Sequence, residues 1–175
     1  RQRLLLARVD NSAGGTLASA ADLSLRAASL ANAGGRVQAG RNLDLTLDGH
    51  LDNAAGAIAA GQRLTLTAAR VDNRNTRGGD GTHGLQAGQL QFGAQWLDNS
   101  QGQVVTDGSA RLQINGQLQN TGGVISTGGN LDSQADNVAN SGGLLRADGS
   151  QTLVARVLSE DGCLLYTSDA ADEED

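Results

Sequence analysis

The sequence predicts an all-β fold: a parallel β-helix solenoid of about seven coils of 20 to 21 residues, with three short strands in each coil. Three observations predict it. Asparagines recur at a nearly fixed spacing, apolar residues hold constant positions around them, and glycine is abundant. A fixed period in this range is typical of solenoids, in which each repeat stacks on its neighbours. The crossover rule for parallel strands favours a right-handed coil.

The asparagines mark one position in each repeat, and their spacings are 21, 21, 20, 26, 21 and 20 residues. An amide at such a position can cap its own turn or form a ladder of stacked amides along the rod. We therefore predict a structural role for this column. Its members are Asn11, Asn32, Asn53, Asn73, Asn99, Asn120 and Asn140.

Apolar residues and glycines surround these asparagines at constant distances. Leu or Val stands two positions before every one of them, and glycine stands three positions after six of them, starting with Gly14. Three apolar patches per repeat, separated by bend residues, predict three strands per coil. Alternating apolar pairs close five turns: Leu23/Leu25, Leu43/Leu45, Leu64/Leu66, Leu90/Phe92 and Leu112/Ile114.

The composition argues against helices and against a charged binding surface. The chain has 25 glycines, each of which would cost about 1 kcal/mol inside a helix. Residues 1–162 carry all 13 arginines and 14 of the 19 acidic residues, so this part is nearly neutral. That balance predicts neither a nucleic-acid partner nor an anionic membrane. No apolar run approaches the roughly 18 residues of a membrane span, so no membrane insertion is predicted.

The longest interval predicts an inserted loop over residues 74–84, because the turns on either side keep their spacing. Insertions in solenoids often mark a binding face. The loop is rich in glycine, but calcium-binding nonapeptide repeats need several aspartates and only Asp80 is present. His50 and His83 lie in different turns without a third ligand at metal-like spacing. We therefore predict no metal and no cofactor.

Trp96 and Arg77 are the predicted binding residues. Trp96 stands three positions before Asn99, where the other six turns all carry polar residues, so its side chain is expected to point outward. An outward tryptophan beside an inserted loop that contains Arg77 could stack on a sugar ring or on a partner protein. The alternative is incidental packing of the indole on the surface of the rod.

No catalytic set is visible in the sequence, and we predict that the chain is not an enzyme. The lone Cys163 has no dependable base, and no nucleophile elbow or phosphate-binding loop is present. Polysaccharide lyases also use parallel β-helices. A carbohydrate-active or carbohydrate-binding β-helix is therefore the alternative function, with Trp96 and the loop as part of its sugar site.

The repeat stops near Glu160, and the remaining residues differ in character. Residues 163–173 read CLLYTSDAADE, which resembles the in-frame translation of a transposase-type sequencing adapter. We therefore expect residues 1–162 to be the repeat region of a longer protein. Residues 163–175 are expected to be a non-native, disordered tail.

Two turns carry a resemblance to a known family: LDNAAGAIAAGQRLTLTAA (residues 51–69) and LQNTGGVISTGGNLD (residues 118–132). They resemble the haemagglutinin repeats of filamentous-haemagglutinin-like exoproteins, and the likeness extends over nearly all of residues 4–158. The resemblance implies a very large protein that an outer-membrane two-partner secretion transporter exports to the surface of a Gram-negative bacterium. Such a filament acts in adhesion, through a receptor on a host or neighbouring cell, or as the stalk of a contact-dependent growth inhibition toxin. The resemblance does not choose between these two roles.

Overall fold

Every regular element in the described part of the chain is a β-strand, and every strand pair is parallel. The computed structural model describes residues 2–78, 82–160 and the backbone of 164–167. This confirms the predicted parallel β-solenoid of about seven coils, while its hand stays a prediction. The strands are β1 (Gln2–Asp10), β2 (Thr16–Ser19), β3 (Leu23–Ala31), β4 (Arg36–Ala39), β5 (Asn42–Leu47), β6 (His50–Asp52), β7 (Ala57–Thr67), β8 (Arg70–Asp72), β9 (Gly84–Asp98), β10 (Gln103–Thr106), β11 (Ala110–Gln119), β12 (Val124–Thr127), β13 (Leu131–Ala139), β14 (Leu144–Ala147), β15 (Gln151–Ser159) and β16 (Leu164–Thr167).

Three faces run along the rod, and they are clearest where β4, β5 and β6 follow one another as separate strands. We call the stack that contains β4 face A, the stack that contains β5 face B, and the stack that contains β6 face C. Each segment pairs in register with the equivalent segment of the next coil, as β4 and β5 do with β7, and β6 with β8. The bend from face C to face A contains the repeated asparagine, and we call it the asparagine corner.

The core consists of columns of aliphatic side chains that stack along the rod axis. On face C, Leu30, Leu51 and Val71 pair in sequence and are at most 1% exposed. On face A, Leu85 continues the column through the enlarged turn, where it pairs with both Ile58 and Val104. Burial of each such side chain contributes about 1.5–3 kcal/mol relative to an exposed position. Many small repeated layers thus replace the aromatic core of an ordinary globular domain.

Leu112 and Ile114 are both buried as predicted, but this pair is offset by two residues from the pair Leu90/Phe92 of the preceding coil. Leu112 pairs with Phe92, whereas Ile114 pairs with Ala94. The residue that stacks on Leu90 is therefore Ala110. When a strand shifts by two residues relative to its neighbour, the same side chains still point inward. The alternating pattern therefore predicts which residues are buried but not which residues pair between coils.

The first member of the glycine column is Gly15, and the prediction of Gly14 is wrong by one residue. Thr16 pairs with Arg36, which aligns Gly15 with Gly35. Both glycines are needed because a Cβ atom at either position would come too close to Asn11, which lies in the same corner as Gly15 and in the coil before Gly35. A Cβ atom at Gly35 would overlap the carbonyl oxygen of Asn11, whereas a Cβ at Gly14 would meet nothing within 4 Å. The first corner simply contains one extra residue.

The register is kept on both sides of the predicted insertion. Val71 pairs with Leu97 before it, and Leu85 pairs with Ile58 after it. The extra residues therefore leave the coil after the Asn73 corner and rejoin it at β9. Residues 79–81, which include Asp80, lie outside the described residues.

A short strand also forms within the predicted tail. The backbone of β16 pairs in parallel with β14, so Leu165 aligns with Leu145 on face A. These four residues differ from the expected disorder because the edge of β14 offers free backbone donors and acceptors to an extended segment. Cys163 and residues 168–175 lie outside the described residues. The boundary near residue 162 and the adapter origin stay predictions.

A buried hydroxyl weakens one core column and gives a stability prediction. Ser133 stacks between Leu112 and Leu153 and is 2% exposed, and its Oγ has no hydrogen-bond partner among the described residues. Ser133→Ala removes this unpaired group, so the free energy of unfolding should rise by about 1 kcal/mol. Urea titration followed by circular dichroism measures the change. The half-buried Ser126 on face A is the control, and Ser126→Ala should change stability by less than about 0.5 kcal/mol. A lower stability of Ser133→Ala would contradict the assignment.

Candidate functional site

The repeated asparagines form an unbroken ladder of amides inside the rod. Six consecutive bonds connect the seven residues, and in each one the Nδ2 group donates to the Oδ1 atom of the asparagine in the next coil, at 2.6–2.8 Å. Asn11 is 6% exposed and the other six are fully buried. The structure thus shows the amide ladder, which was one of the two arrangements expected for this column.

The Nδ2 groups also donate to backbone carbonyl oxygens, so several of the asparagines cap their own turns as well, which was the other arrangement expected for this column. Nδ2 of Asn32 donates to the carbonyl oxygen of Gly35 in its own corner at 3.3 Å and to that of Ala57 in the next coil at 3.2 Å. Each buried amide therefore pairs with backbone and with its neighbours along the ladder. A buried amide without these bonds would cost on the order of 1–3 kcal/mol per unpaired group.

In the enlarged turn, Thr76 replaces the glycine of the other corners. Its side chain is buried, and its Oγ1 donates to the carbonyl oxygen of Asn73 at 3.0 Å. The same Oγ1 accepts a bond from the backbone N–H of Gln103 at 3.0 Å. The hydroxyl thus satisfies backbone groups that would otherwise lose a partner where the insertion leaves the coil.

A column of aspartates supports the corners, and the sequence analysis missed it. The carboxylates of Asp52, Asp72 and Asp98 each accept a bond from the backbone N–H two residues later, at 2.9–3.1 Å. Asp10 does the same in the first corner. The available signal was the dipeptide Asp-Asn, which occurs at four of the seven corners and is a typical turn-forming sequence.

Arg74 neutralises the buried part of this column. Its guanidinium contacts the carboxylate of Asp72 at 2.6 Å and that of Asp98 at 3.6 Å, and both carboxylates are nearly buried. Burial opposes ionisation of Asp72. Hydrogen bonds from the side chain and backbone of Arg74, together with its charge, outweigh burial and hold the pKa of Asp72 below its ordinary value.

Trp96 lies in the outward column of face C, as predicted, and it is half-buried. Its strand neighbours are Arg70 in the preceding coil and Gln117 in the following coil. The guanidinium carbon of Arg70 lies 4.3 Å from the centre of the indole ring, which is a cation–π contact. The sequence did not reveal this partner, because the two residues are 26 positions apart.

Arg77 lies on the other side of the asparagine corner from the column of Trp96. Its backbone N–H donates to the carbonyl oxygen of Gln101 at 3.0 Å, and its Nη1 donates to that of Gly122 at 3.0 Å. Arg77 therefore follows a corner, whereas Trp96 precedes one. The structure does not bring the two predicted binding residues onto one face, and a binding role for either stays a prediction.

His50 is exposed and His83 is half-buried, and the two lie in different coils. Within the described ranges, no three His, Cys, Asp or Glu side chains are close enough to hold a metal ion. The same ranges contain no helix with the length and apolar character of a membrane span.

The fold and the ladder define a class of protein: a parallel β-solenoid with one asparagine corner per coil. The family model for the haemagglutinin repeat matches three overlapping stretches, residues 4–55, 42–104 and 85–156. The chain therefore belongs to the haemagglutinin repeat family, as its resemblance implied. No curated protein matches the chain, and no solved structure does.

The ladder predicts that interior asparagines matter more than the terminal one. Asn53→Ala removes the acceptor used by Asn32 and the donor used by Asn73, so the free energy of unfolding should fall by about 2–5 kcal/mol. Asn11→Ala breaks one ladder link at a partly accessible end and should cost about 1 kcal/mol. Chemical denaturation of both variants measures the difference. Equal losses would show that the links do not act as a continuous ladder.

The Arg74–Asp72 pair predicts a pH dependence of stability. Because the pKa of Asp72 is lowered by folding, its contribution is present above its unfolded pKa of about 4 and is lost as pH falls through the folded pKa. Asp72→Asn should reduce the free energy of unfolding at pH 7 by about 1 kcal/mol. The variant should also lose less stability than the unmodified chain as the pH is lowered. Denaturation at several pH values between 7 and 2 measures both effects. The exposed Asp107 supplies the control variant Asp107→Asn, and an equally reduced loss of stability in that variant would refute the assignment to Asp72.

Proposed function

We propose that this chain is a length-giving segment of a large surface filament exported by a Gram-negative bacterium, in which it acts in adhesion or as the stalk of a contact-dependent growth inhibition toxin. The observation that carries the proposal is the unbroken ladder of amides across all seven corners. Since strands in a sheet are about 4.8 Å apart, seven coils span roughly 34 Å. More coils of the same kind would extend the rod by the same step.

The pairing pattern supports a stiff rod. All 16 described strands belong to one hydrogen-bonded sheet, and the pairing of faces B and C passes through the enlarged turn. The insertion therefore creates no hinge in these faces. A filament that holds a terminal domain or an adhesive tip away from the cell needs this property.

The chain is also suited to folding after export. Each coil pairs with the coil before it and the coil after it, so folding can propagate from one coil to the next. Residues 1–162 contain no cysteine, and this region needs no disulfide formation outside the cell. We propose an outer-membrane two-partner secretion transporter as the export partner of the full-length protein. A receptor on a host or neighbouring cell is the proposed target, and no step of this function requires catalysis.

Surface labelling of the source bacterium tests the proposal. Antibodies raised against the folded segment should bind intact cells, and protease treatment of intact cells should remove the signal. A periplasmic protein, labelled only after the outer membrane is permeabilised, is the control. If the segment also becomes accessible only after permeabilisation, the surface-filament proposal fails.

Continuous sequencing of the gene past the codon for Gly162 then distinguishes the two uses. Further 20-residue repeats that lead to a distinct terminal domain beside a small immunity-like gene would favour the toxin stalk. Further repeats without such a domain and gene would favour the adhesin. A reading frame that ends at the codon for Asp175 would refute the adapter origin of the tail.

A further inference from the structure

A hollow of about 500 Å³ lies beside Trp96 on face C. Residues from four successive coils line it, so the hollow exists only in the stacked structure. Its lining includes Arg70, Gln95, Trp96, Asn115, Gln117 and Asn137.

A β-bulge opens this hollow. Ile114 pairs with Ala94 and Gln117 pairs with Trp96, so Asn115 and Gly116 together stand opposite the single residue Gln95. A Cβ atom at Gly116 would approach the carbonyl oxygen of Gln95 to 2.5 Å, which explains the glycine at this position. Bulges redirect side chains at the surface of a sheet and are common beside functional sites.

The indole ring of Trp96 forms one wall of the hollow. Arg70, from the preceding coil, stacks on one side of the ring at 4.3 Å. Apart from Gln95, the other lining residues come from the two following coils. Arg70 itself lines the hollow beside the ring, and its stacked guanidinium limits rotation of the indole.

The lining has the chemistry of a sugar site. Gln95, Asn115, Gln117 and Asn137 present carboxamides, each of which donates and accepts hydrogen bonds and can pair with adjacent hydroxyls. The apolar side of a sugar ring can pack on the indole. Arg70 is the only charged residue of the lining, and the described residues give it no ion pair. Its guanidinium is therefore available to a carboxylate.

We propose that this hollow binds a saccharide that carries a carboxylate, with Trp96 as the stacking platform, the four carboxamides as partners of the hydroxyls, and Arg70 as the partner of the carboxylate. This goes beyond the proposed function, which names neither a binding site on this segment nor the chemistry of a ligand. The site also differs from the pair Trp96 and Arg77 expected from the sequence. Arg77 is not among the residues that line the hollow.

Intrinsic fluorescence of the 175-residue chain tests the proposal directly, because Trp96 is its only tryptophan. Two matched pairs of probes are titrated: sialyllactose against lactose, and trigalacturonate against maltotriose. At least one acidic probe should change the tryptophan emission in a saturable way, with a Kd of roughly 1 mM or below. Its neutral counterpart should bind more weakly. If neither acidic probe binds, by fluorescence or by saturation-transfer NMR, or if only the neutral probes bind, the proposal is overturned.

Variants then locate the site. Arg70→Gln should weaken binding of the acidic probe about tenfold or more, because it removes a charge-assisted bond. Asn137→Ala should weaken it severalfold. His50→Ala changes the same outward column outside the hollow, and Arg77→Ala changes the inserted loop, so both should bind as the unmodified chain does. Loss of binding in Arg77→Ala but not in Arg70→Gln would overturn the proposal and move the site to the loop. None of these outcomes affects the surface-labelling test of the filament.

Discussion

The ladder of buried amides is the constraint on which the rest of the structure depends. Each interior asparagine donates to the amide of the next coil and accepts from the amide of the previous coil. A slip of one residue in any coil would leave buried donors and acceptors unpaired on both sides, at a cost of several kcal/mol. Apolar columns alone tolerate a slip of two residues, because alternation is preserved. The amides therefore determine the register, and the aliphatic columns supply most of the buried area.

Length variation is confined to places where it does not disturb this ladder. The first corner holds one extra residue at Gly14, the fourth corner carries the insertion after Asn73, and the bulge at Asn115–Gly116 lies between faces B and C. In each case the columns on both sides stay in register. Thr76 shows how a corner changes residue type and still satisfies its backbone groups.

The 20- to 21-residue period predicted the architecture because the same contacts are repeated in every coil. Each repeat in the sequence is therefore separate evidence for the same fold. Details that occur once were not predictable in this way. The register of Leu112 and Ile114 depends on Ala110, which the apolar pattern alone does not distinguish from other small residues. The contact between Arg70 and Trp96 depends on how the enlarged turn rejoins the coil. The sequence thus predicted that Trp96 points outward but not which residues surround it. Trp96 and Arg77 were predicted to form one site only because Trp96 was expected beside the inserted loop that contains Arg77.

The solenoid separates the residues that maintain the fold from those that can acquire a function. Away from the two ends of the rod, the inward columns and corner amides are buried, whereas outward substitutions usually change stability by less than about 0.5 kcal/mol. An outward column can therefore vary from His50 to Arg70 to Trp96 without disturbing the ladder behind it. A bulge in one coil is then sufficient to convert such a column into a hollow lined by four coils. Under the two proposals, length depends on the inward side of the strands and ligand binding on their outward side, so one coil can serve both.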